Sequence, residues 1–293
     1  VEASTDRIFP GKKFISTVLD LLDTKTAMTG KIAQRYIMRA AMAGIIIGIF
    51  YVTYYAIVGG FDSIPVGDTN LHVVGKFVGA LVFGWALVFI YDSKSELLTS
   101  NMMITTIGVY YRKTTVRKAL TLLTMCLFGN FIGGLLVALL LSFSTLLNGD
   151  TSLAMSEAVD SKLGYVTAGA AGLTDLFLRA VFCNFMINLA MLLVYNGSID
   201  SDVLKALVMV MSVFVFAFLA FEHSVANTVL FLVHGFAHGI DAWAAIANVS
   251  VALLGNFVGG GLLIGLYYAY VNDENSYLRR HPEDRPTAEA SQE

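Results

Sequence analysis

Six long apolar runs, at 36–58, 77–110, 116–146, 173–195, 203–238 and 242–270, constrain this chain more than any other feature of its sequence. Crossing the hydrocarbon of a bilayer takes about 20 mainly apolar residues, and every run reaches that length. A lipid-facing backbone must satisfy its own hydrogen bonds, so runs of this kind read as helices. Barrel strands of about ten residues with alternating polarity have no counterpart here. Composition agrees: 56% of the 293 residues are hydrophobic and 14% charged, where a soluble domain carries about 25% charged residues. The expectation is an all-α integral membrane protein with six transmembrane helices. Pro10, Pro65, Pro282 and Pro286 all lie outside the runs, so proline does not interrupt the second and fifth.

Charge and cysteine usage narrow the function classes. A net charge of -3 with no basic stripe gives no sign of a nucleic-acid partner, and none is expected. Cys126 and Cys183 lie inside apolar runs and read as small buried hydrophobes. The first 23 residues lack a positively charged flank leading into an apolar segment, so no cleavable signal peptide is expected. Lysine and arginine cluster at Lys12, Lys13, Lys25, Lys31 and Arg35, at Arg112, Lys113, Arg117 and Lys118, and at Arg279, Arg280 and Arg285. By the positive-inside rule both termini are cytoplasmic in a multi-pass cell membrane protein, in the inner or plasma membrane, with membrane lipid as a partner. The resulting segments are 1–35, with an amphipathic helix at the membrane interface over 12–31; a first three-helix unit at 36–146; an external loop at 147–172; a second unit at 173–271; and a disordered cytoplasmic tail at 272–293.

The two units are repeats. Glu96 and Asn101 match Glu222 and Asn227 as Glu-x4-Asn, and 33 residues after each glutamate comes a Gly-Asn-Phe-x-Gly-Gly run, at Gly129 and at Gly255. Arg39-Ala40 and Arg179-Ala180 stand at the same point of each first helix. Three spans per unit is an odd number, so the second unit enters the bilayer from the opposite side. In such inverted repeats, discontinuous helices meet near the midplane. The breaks fall at 91–96 and 221–227 in the second and fifth helices, with Glu96, Asn101, Glu222 and Asn227 as their structural residues. The glutamates are expected to face away from the permeant and bond to backbone amides at the break. The glycines of the Gly-Asn-Phe run read as helix-packing residues. Asp92 and Lys94 are expected to pair across the first break.

Intramembrane ionisable residues are functional suspects by default. Of the ionisable break residues, Glu96 and Glu222 match each other, whereas His223 stands opposite Leu97 in the other half. A structural role would be filled alike in both halves, so the asymmetry marks His223 as functional. His234 and His238, four apart with no third ligand near, read as interface anchors, and no metal or cofactor is expected. A membrane haem or oxidoreductase subunit, the alternative reading, needs histidines on facing helices, whereas only the fifth run contains any.

Phe-Glu-His-Ser-Val-Ala-Asn at 221–227, Gly-Asn-Phe-Val-Gly-Gly-Gly-Leu-Leu at 255–263 and Glu-Leu-Leu-Thr-Ser-Asn at 96–101 resemble the formate/nitrite transporter family over 31–270. The resemblance implies an aquaporin-like protomer in a homopentamer. Each subunit would pass small monovalent weak-acid anions (formate, nitrite, hydrosulfide, acetate or lactate) together with a proton, as a non-enzymatic channel or transporter. It also implies site residues. The pore histidine falls on His223, the opposing threonine on Thr99 and the pore asparagine on Asn184. Apolar constrictions fall on Phe83 and Phe216 at one end, and on Leu87, Leu97 and Ile187 at the other. Vestibule lysines fall on Lys31 and Lys162. One departure is visible: Ala168 stands at the spacing of the family's lysine before the fourth helix, with Lys162 six residues earlier. Burial lowers an imidazole's pKa and a bound anion raises it, so an arriving anion is expected to recruit its proton from His223 or through it from water.

Overall fold

The computed structural model describes residues 8–282. Helix α1 (Lys12–Lys31) precedes α2 (Ala33–Asp62), and a small antiparallel hairpin of β1 (Pro65–Val66) and β2 (Thr69–Asn70) leads to α3 (His72–Asp92), α4 (Leu98–Tyr110) and α5 (Val116–Ser142). A 3-10 turn (Thr145–Leu147) and α6 (Asp150–Thr167) connect to α7 (Gly169–Tyr195), α8 (Asp202–Phe218), α9 (Ser224–His238) and α10 (Ala242–Asn256). The chain runs on through a π-helical segment (Phe257–Leu266) into α11 (Tyr267–Val271), and then α12 (Glu274–Arg280).

Among the described residues, five helices are long and apolar enough to cross a membrane: Ala33–Asp62, His72–Asp92, Val116–Ser142, Gly169–Tyr195 and Ala242–Val271. The runs at 77–110 and 203–238 each divide, into α3 with α4 and α8 with α9. The second of these gives helices of 17 and 15 residues, each too short to span alone.

Both breaks are built from the same bonds. Lys94 and Ala220, 126 residues apart, take φ values of 56° and 53°. Beyond them Ser95 N donates to Ile90 O at 3.0 Å, and Phe221 N to Phe216 O at 2.9 Å. Lys94 N reaches Tyr91 O, and Ala220 N reaches Ala217 O, both at 3.2 Å. This is the Schellman helix end, made with side chains for which the left-handed conformation costs about 1–2 kcal/mol. The first helix of each half bonds to the break as well. Glu96 N donates to Arg39 O and Glu222 N to Arg179 O, while the two guanidinium groups donate to the carbonyls of Lys94 and of Leu219 and Ala220.

The asparagine of each Gly-Asn-Phe run completes the break. Asn130 accepts the Leu98 N–H at 3.1 Å and donates to Ala40 O and Glu96 O, both at 2.8 Å. Asn256 accepts the Ser224 N–H at 2.9 Å and donates to Ala180 O at 2.8 Å and Glu222 O at 3.0 Å. An unsatisfied backbone group in a membrane interior costs several kcal/mol, and each amide satisfies two such groups at its break while its third bond ties it to a carbonyl of the half's first helix. The flanking glycines allow the approach: a Cβ on Gly133 would strike the Ala41 carbonyl, and one on Gly259 the Val181 carbonyl. The glycines therefore pack as expected, and the asparagine between them does more than the sequence reading assigned. The repeat is also imperfect here. A third glycine, Gly261, precedes the leucines of the second run, and the helix accommodates the longer run as a π-helix where α5 stays regular.

Other expectations change. Helix α1 has the anticipated bounds, but its apolar face (Phe14, Ile15, Val18, Leu22) is buried inside the protein, with Leu22 against Gly108 of α4. The 147–172 segment contains α6, whose Ala154, Met155 and Val159 are buried. The tail expected to be disordered from 272 begins with α12, held by Asn272 accepting from Gly11 N at 2.8 Å and by Glu274 pairing with Lys12 at 2.8 Å. Residues 1–7 and 283–293 of the two terminal segments lie outside the described residues. Asp92 and Lys94 do not pair; Lys94 Nζ lies 4.7 Å over the Tyr91 ring.

Candidate functional site

His223 is the N-cap of α9, in extended backbone conformation, and its Nδ1 accepts the Ala226 N–H at 3.0 Å. Its Nε2 lies 3.1 Å from Thr99 Oγ1, in the first turn of α4. A neutral imidazole has one acceptor and one donor nitrogen, so the cap fixes the tautomer. Nε2–H donates to Thr99, and the threonine hydroxyl keeps its own hydrogen for another acceptor. A second ring proton would have to sit on Nδ1, and would break the cap. Leu97 holds the same place in α4 without a capping side chain.

Apolar side chains enclose this pair. The Phe83 and Phe216 rings meet edge to face with centroids 6.2 Å apart, and Phe216 stacks on His223 at 6.0 Å and 12°. Leu87, Leu97 and Ile187 join Phe83, Phe216 and His223 around a cavity of about 20 Å³, room for about one water. All five expected constriction residues thus come together around the histidine.

A larger chamber opens on each side. The first, about 300 Å³, reaches from His72 and Lys76 past Tyr51, Tyr54, Tyr55 and Lys162 to Phe83, Phe216 and His223. The second, about 570 Å³, is lined by Lys13, Lys25, Arg39, Lys94, Lys205 and Glu96 among others.

The two break glutamates lie between chambers and breaks, and each is held by a lysine and an asparagine. Glu222 takes two bonds of 2.8 Å from Lys162 Nζ and one of 2.6 Å from Asn227. Asn227 also donates to Asn248 at 2.9 Å, and Asn248 donates to the Lys162 carbonyl at 2.8 Å. Glu96 pairs with Lys25 and accepts from Asn101 at 3.1 Å. The expectation that the glutamates bond backbone amides is therefore corrected, because the amides at the breaks are taken by Asn130, Asn256 and the Arg39 and Arg179 carbonyls. Burial works against the charge on Lys162, but the Glu222 carboxylate with Tyr55 and Tyr165 together outweigh it, and the lysine's pKa stands above its ordinary value.

Other expected site residues move. Lys162 does line the first chamber, as a buried member of an ion pair. Lys31 is exposed at the end of α1 and lines neither chamber; Lys25, six residues earlier, is the lysine of that side. Asn184 is buried behind the histidine, and its amide is already engaged. It donates to Thr99 O at 3.1 Å and Asn256 O at 2.7 Å, and accepts from Asn188 at 2.8 Å. Asn188 donates to Thr99 O as well, at 3.1 Å. The two asparagines fix the threonine's backbone and face no chamber. Sequence reasoning missed Lys25, Asn130, Asn188, Asn256 and the three tyrosines. Only the asparagine in the duplicated Gly-Asn-Phe run carried a signal that could have found any of them.

His234 and His238 stand with ring centroids 5.1 Å apart, and His238 bonds Ser152 at 2.7 Å. Among the described residues no group of three His, Cys, Asp or Glu side chains is placed to hold a metal.

Comparison with known proteins identifies a family for the chain. A model of the family described as "Formate/nitrite transporter" matches residues 12–270. The formate channel FocA of Escherichia coli is 29% identical over 266 residues, covering 83% of this chain and 86% of its own. The nitrite transporter NirC of Salmonella typhimurium is 29% identical over 257 residues, covering 86% of this chain and 88% of its own. A solved structure titled "FNT family ion channel" superposes with a TM-score of 0.76 at 26% identity, over 88% of this chain and 98% of that one.

Proposed function

The chain belongs to the formate/nitrite transporter family, a multi-pass membrane protein family, and from that membership we propose that it passes small monovalent weak-acid anions through the Phe83–His223–Leu97 axis. The candidates are formate, nitrite, hydrosulfide, acetate and lactate, each crossing with a proton. The observation that carries this reading is the capped histidine facing Thr99 in a near-closed apolar cavity between two larger chambers.

The physics of the path follows from that arrangement. A bare charge in hydrocarbon costs roughly 3 to more than 10 kcal/mol, so two apolar constrictions in series hold back ions. A protonated weak acid passes them far more cheaply. His223 stays neutral on its cap and polarises the Thr99 hydroxyl, whose free hydrogen meets the permeant's oxygen. The proton itself enters from chamber water, the cap on Nδ1 disfavouring a second proton on the ring. The amino ends of α4 and α9 begin at the two breaks and add partial positive charge near the cavity. Lys25 and Lys162 balance the buried glutamates, so the breaks do not repel an anion.

The architecture we propose around this path is six spans in two inverted three-helix repeats, assembled as a homopentamer with one path per subunit. The lysine and arginine count puts the Lys25 chamber on the cytoplasmic side. The test is flux of the five anions into proteoliposomes, with and without an inward proton gradient. Gradient-stimulated entry of at least one anion is expected. Flux no greater than through protein-free vesicles for all five would end the proposal.

A further inference from the structure

The first chamber contains a cluster that neither the repeat nor the constrictions require. Tyr51, Tyr54 and Tyr55 sit within one and a half turns of α2 and all line this chamber, beside Lys162 and against Phe83. The Phe83 ring packs against two of them: Tyr51 at 5.1 Å and Tyr54 at 6.4 Å between centroids. Tyr54 is fixed from behind, because its ring packs on Gly79 of α3, where a Cβ would come within 2.9 Å of it. Tyr51 is fixed by Tyr55, at 4.9 Å between centroids.

The hydroxyls are less committed than the rings. Tyr55 donates to Tyr51 at 3.0 Å, so the Tyr51 oxygen has taken a hydrogen and its own O–H has no acceptor among the described residues. The Tyr54 hydroxyl makes no hydrogen bond among them either, although its residue is only 7% exposed. Two of the three Lys162 N–H groups bond to Glu222, which leaves one. A packing role would be served as well by phenylalanine. Two phenol donors with no acceptor among the described residues, held beside a lysine at the mouth of an apolar constriction, suit an anion with two or more acceptor oxygens.

We propose that Tyr51 and Tyr54, with the free N–H of Lys162, form an outer subsite that binds a small oxyanion before it crosses Phe83 and Phe216. The inference rests on the anion-conducting reading above. The subsite replaces part of the anion's hydration with fixed phenol donors and passes it to the constriction already partly desolvated. It sets apparent affinity from the Lys162 side, while the passage beyond Phe83 sets the maximal rate.

The test uses the full chain in proteoliposomes, with formate as the probe. Tyr51→Phe and Tyr54→Phe keep both rings and remove one donor each. Each is expected to raise the half-saturating formate concentration from the Lys162 side about ten- to hundredfold, the range of one hydrogen bond to a charged partner, with maximal rate unchanged in both variants and melting temperature unchanged in Tyr54→Phe, whose hydroxyl has no partner among the described residues to lose. Unchanged half-saturation in both variants would overturn the subsite, as would a fall in maximal rate alone, which is the signature of a disturbed Phe83. Wild-type protein offers an independent reading: formate should perturb its tyrosine absorbance, and Tyr51→Phe/Tyr54→Phe together should remove that change. A tyrosine signal unaffected by formate would also count against the subsite. If wild-type protein moves formate and the variants match it, only this inference falls; if wild-type protein moves none of the five anions, the function reading falls first.

Discussion

Replacing His223 with asparagine separates the two jobs its ring does. Asparagine is among the best N-cap residues, so its side-chain oxygen can take over the Ala226 N–H that Nδ1 now accepts. What it cannot supply is a donor reaching Thr99 at the position of Nε2. The fold should therefore hold. Even complete loss of the cap, as in His223→Leu, costs only about 1 kcal/mol, and Leu97 caps nothing in the equivalent half-helix. The transport loss follows from the missing Nε2–H to Thr99 bond: a neutral hydrogen bond is worth about 0.5–1.5 kcal/mol, and each 1.36 kcal/mol is tenfold in rate, so proton-linked flux should fall about three- to tenfold. The assay is anion entry into proteoliposomes under a proton gradient across pH 5 to 8, with the oligomer checked by size-exclusion chromatography. Asn-variant flux within twofold of wild type, alongside a failing Leu variant, would mean that His223 acts only as a helix cap.

Three further outcomes follow. Thr99→Ala should impair flux as His223→Asn does while leaving assembly intact, because the hydroxyl is the partner of Nε2 and only its backbone carbonyl is held by Asn184 and Asn188. Asn256→Ala removes three hydrogen bonds and leaves the Glu222 carbonyl and the Ser224 N–H without partners; at about 1–3 kcal/mol per buried orphan, a drop in melting temperature of several degrees is expected, and an unshifted melting curve would refute the bridging role. Lys162→Met strands the Glu222 carboxylate and should destabilise by about 3–5 kcal/mol, whereas Lys162→Met combined with Glu222→Gln should recover much of the loss. Equal instability of the single and double variants in thermal unfolding would show that packing at Lys162, and not its charge, matters.

The residues divide clearly by how they could be read. The division of the second and fifth runs was legible because polar residues interrupt apolar sequence at fixed spacing, and Glu96, Asn101, Glu222 and Asn227 do sit at the breaks. Their partners were not legible. Lys25 and Lys162 come from helices outside the repeat pattern, and nothing in the spacing says that α1 and α6 turn an ammonium toward a break. Asn184 was misread because a buried membrane asparagine looks the same in sequence whether it meets a permeant or a carbonyl. The tyrosines at 51, 54 and 55 passed as ordinary span residues, and only the chamber distinguishes them.

The sequence by itself determined what is local and periodic: helices from apolar length, halves from the recurring motifs, and the singular histidine from its mismatch with Leu97. Tertiary structure decided what depends on which groups meet across elements. It settled which lysine neutralises which glutamate, which asparagine closes which break, and which histidine nitrogen carries the hydrogen. Hydrophobic periodicity is a property of a segment and survives in one dimension. Satisfaction of a buried polar group is a property of a pair, and its second member stands anywhere from 3 to 124 residues away in this site.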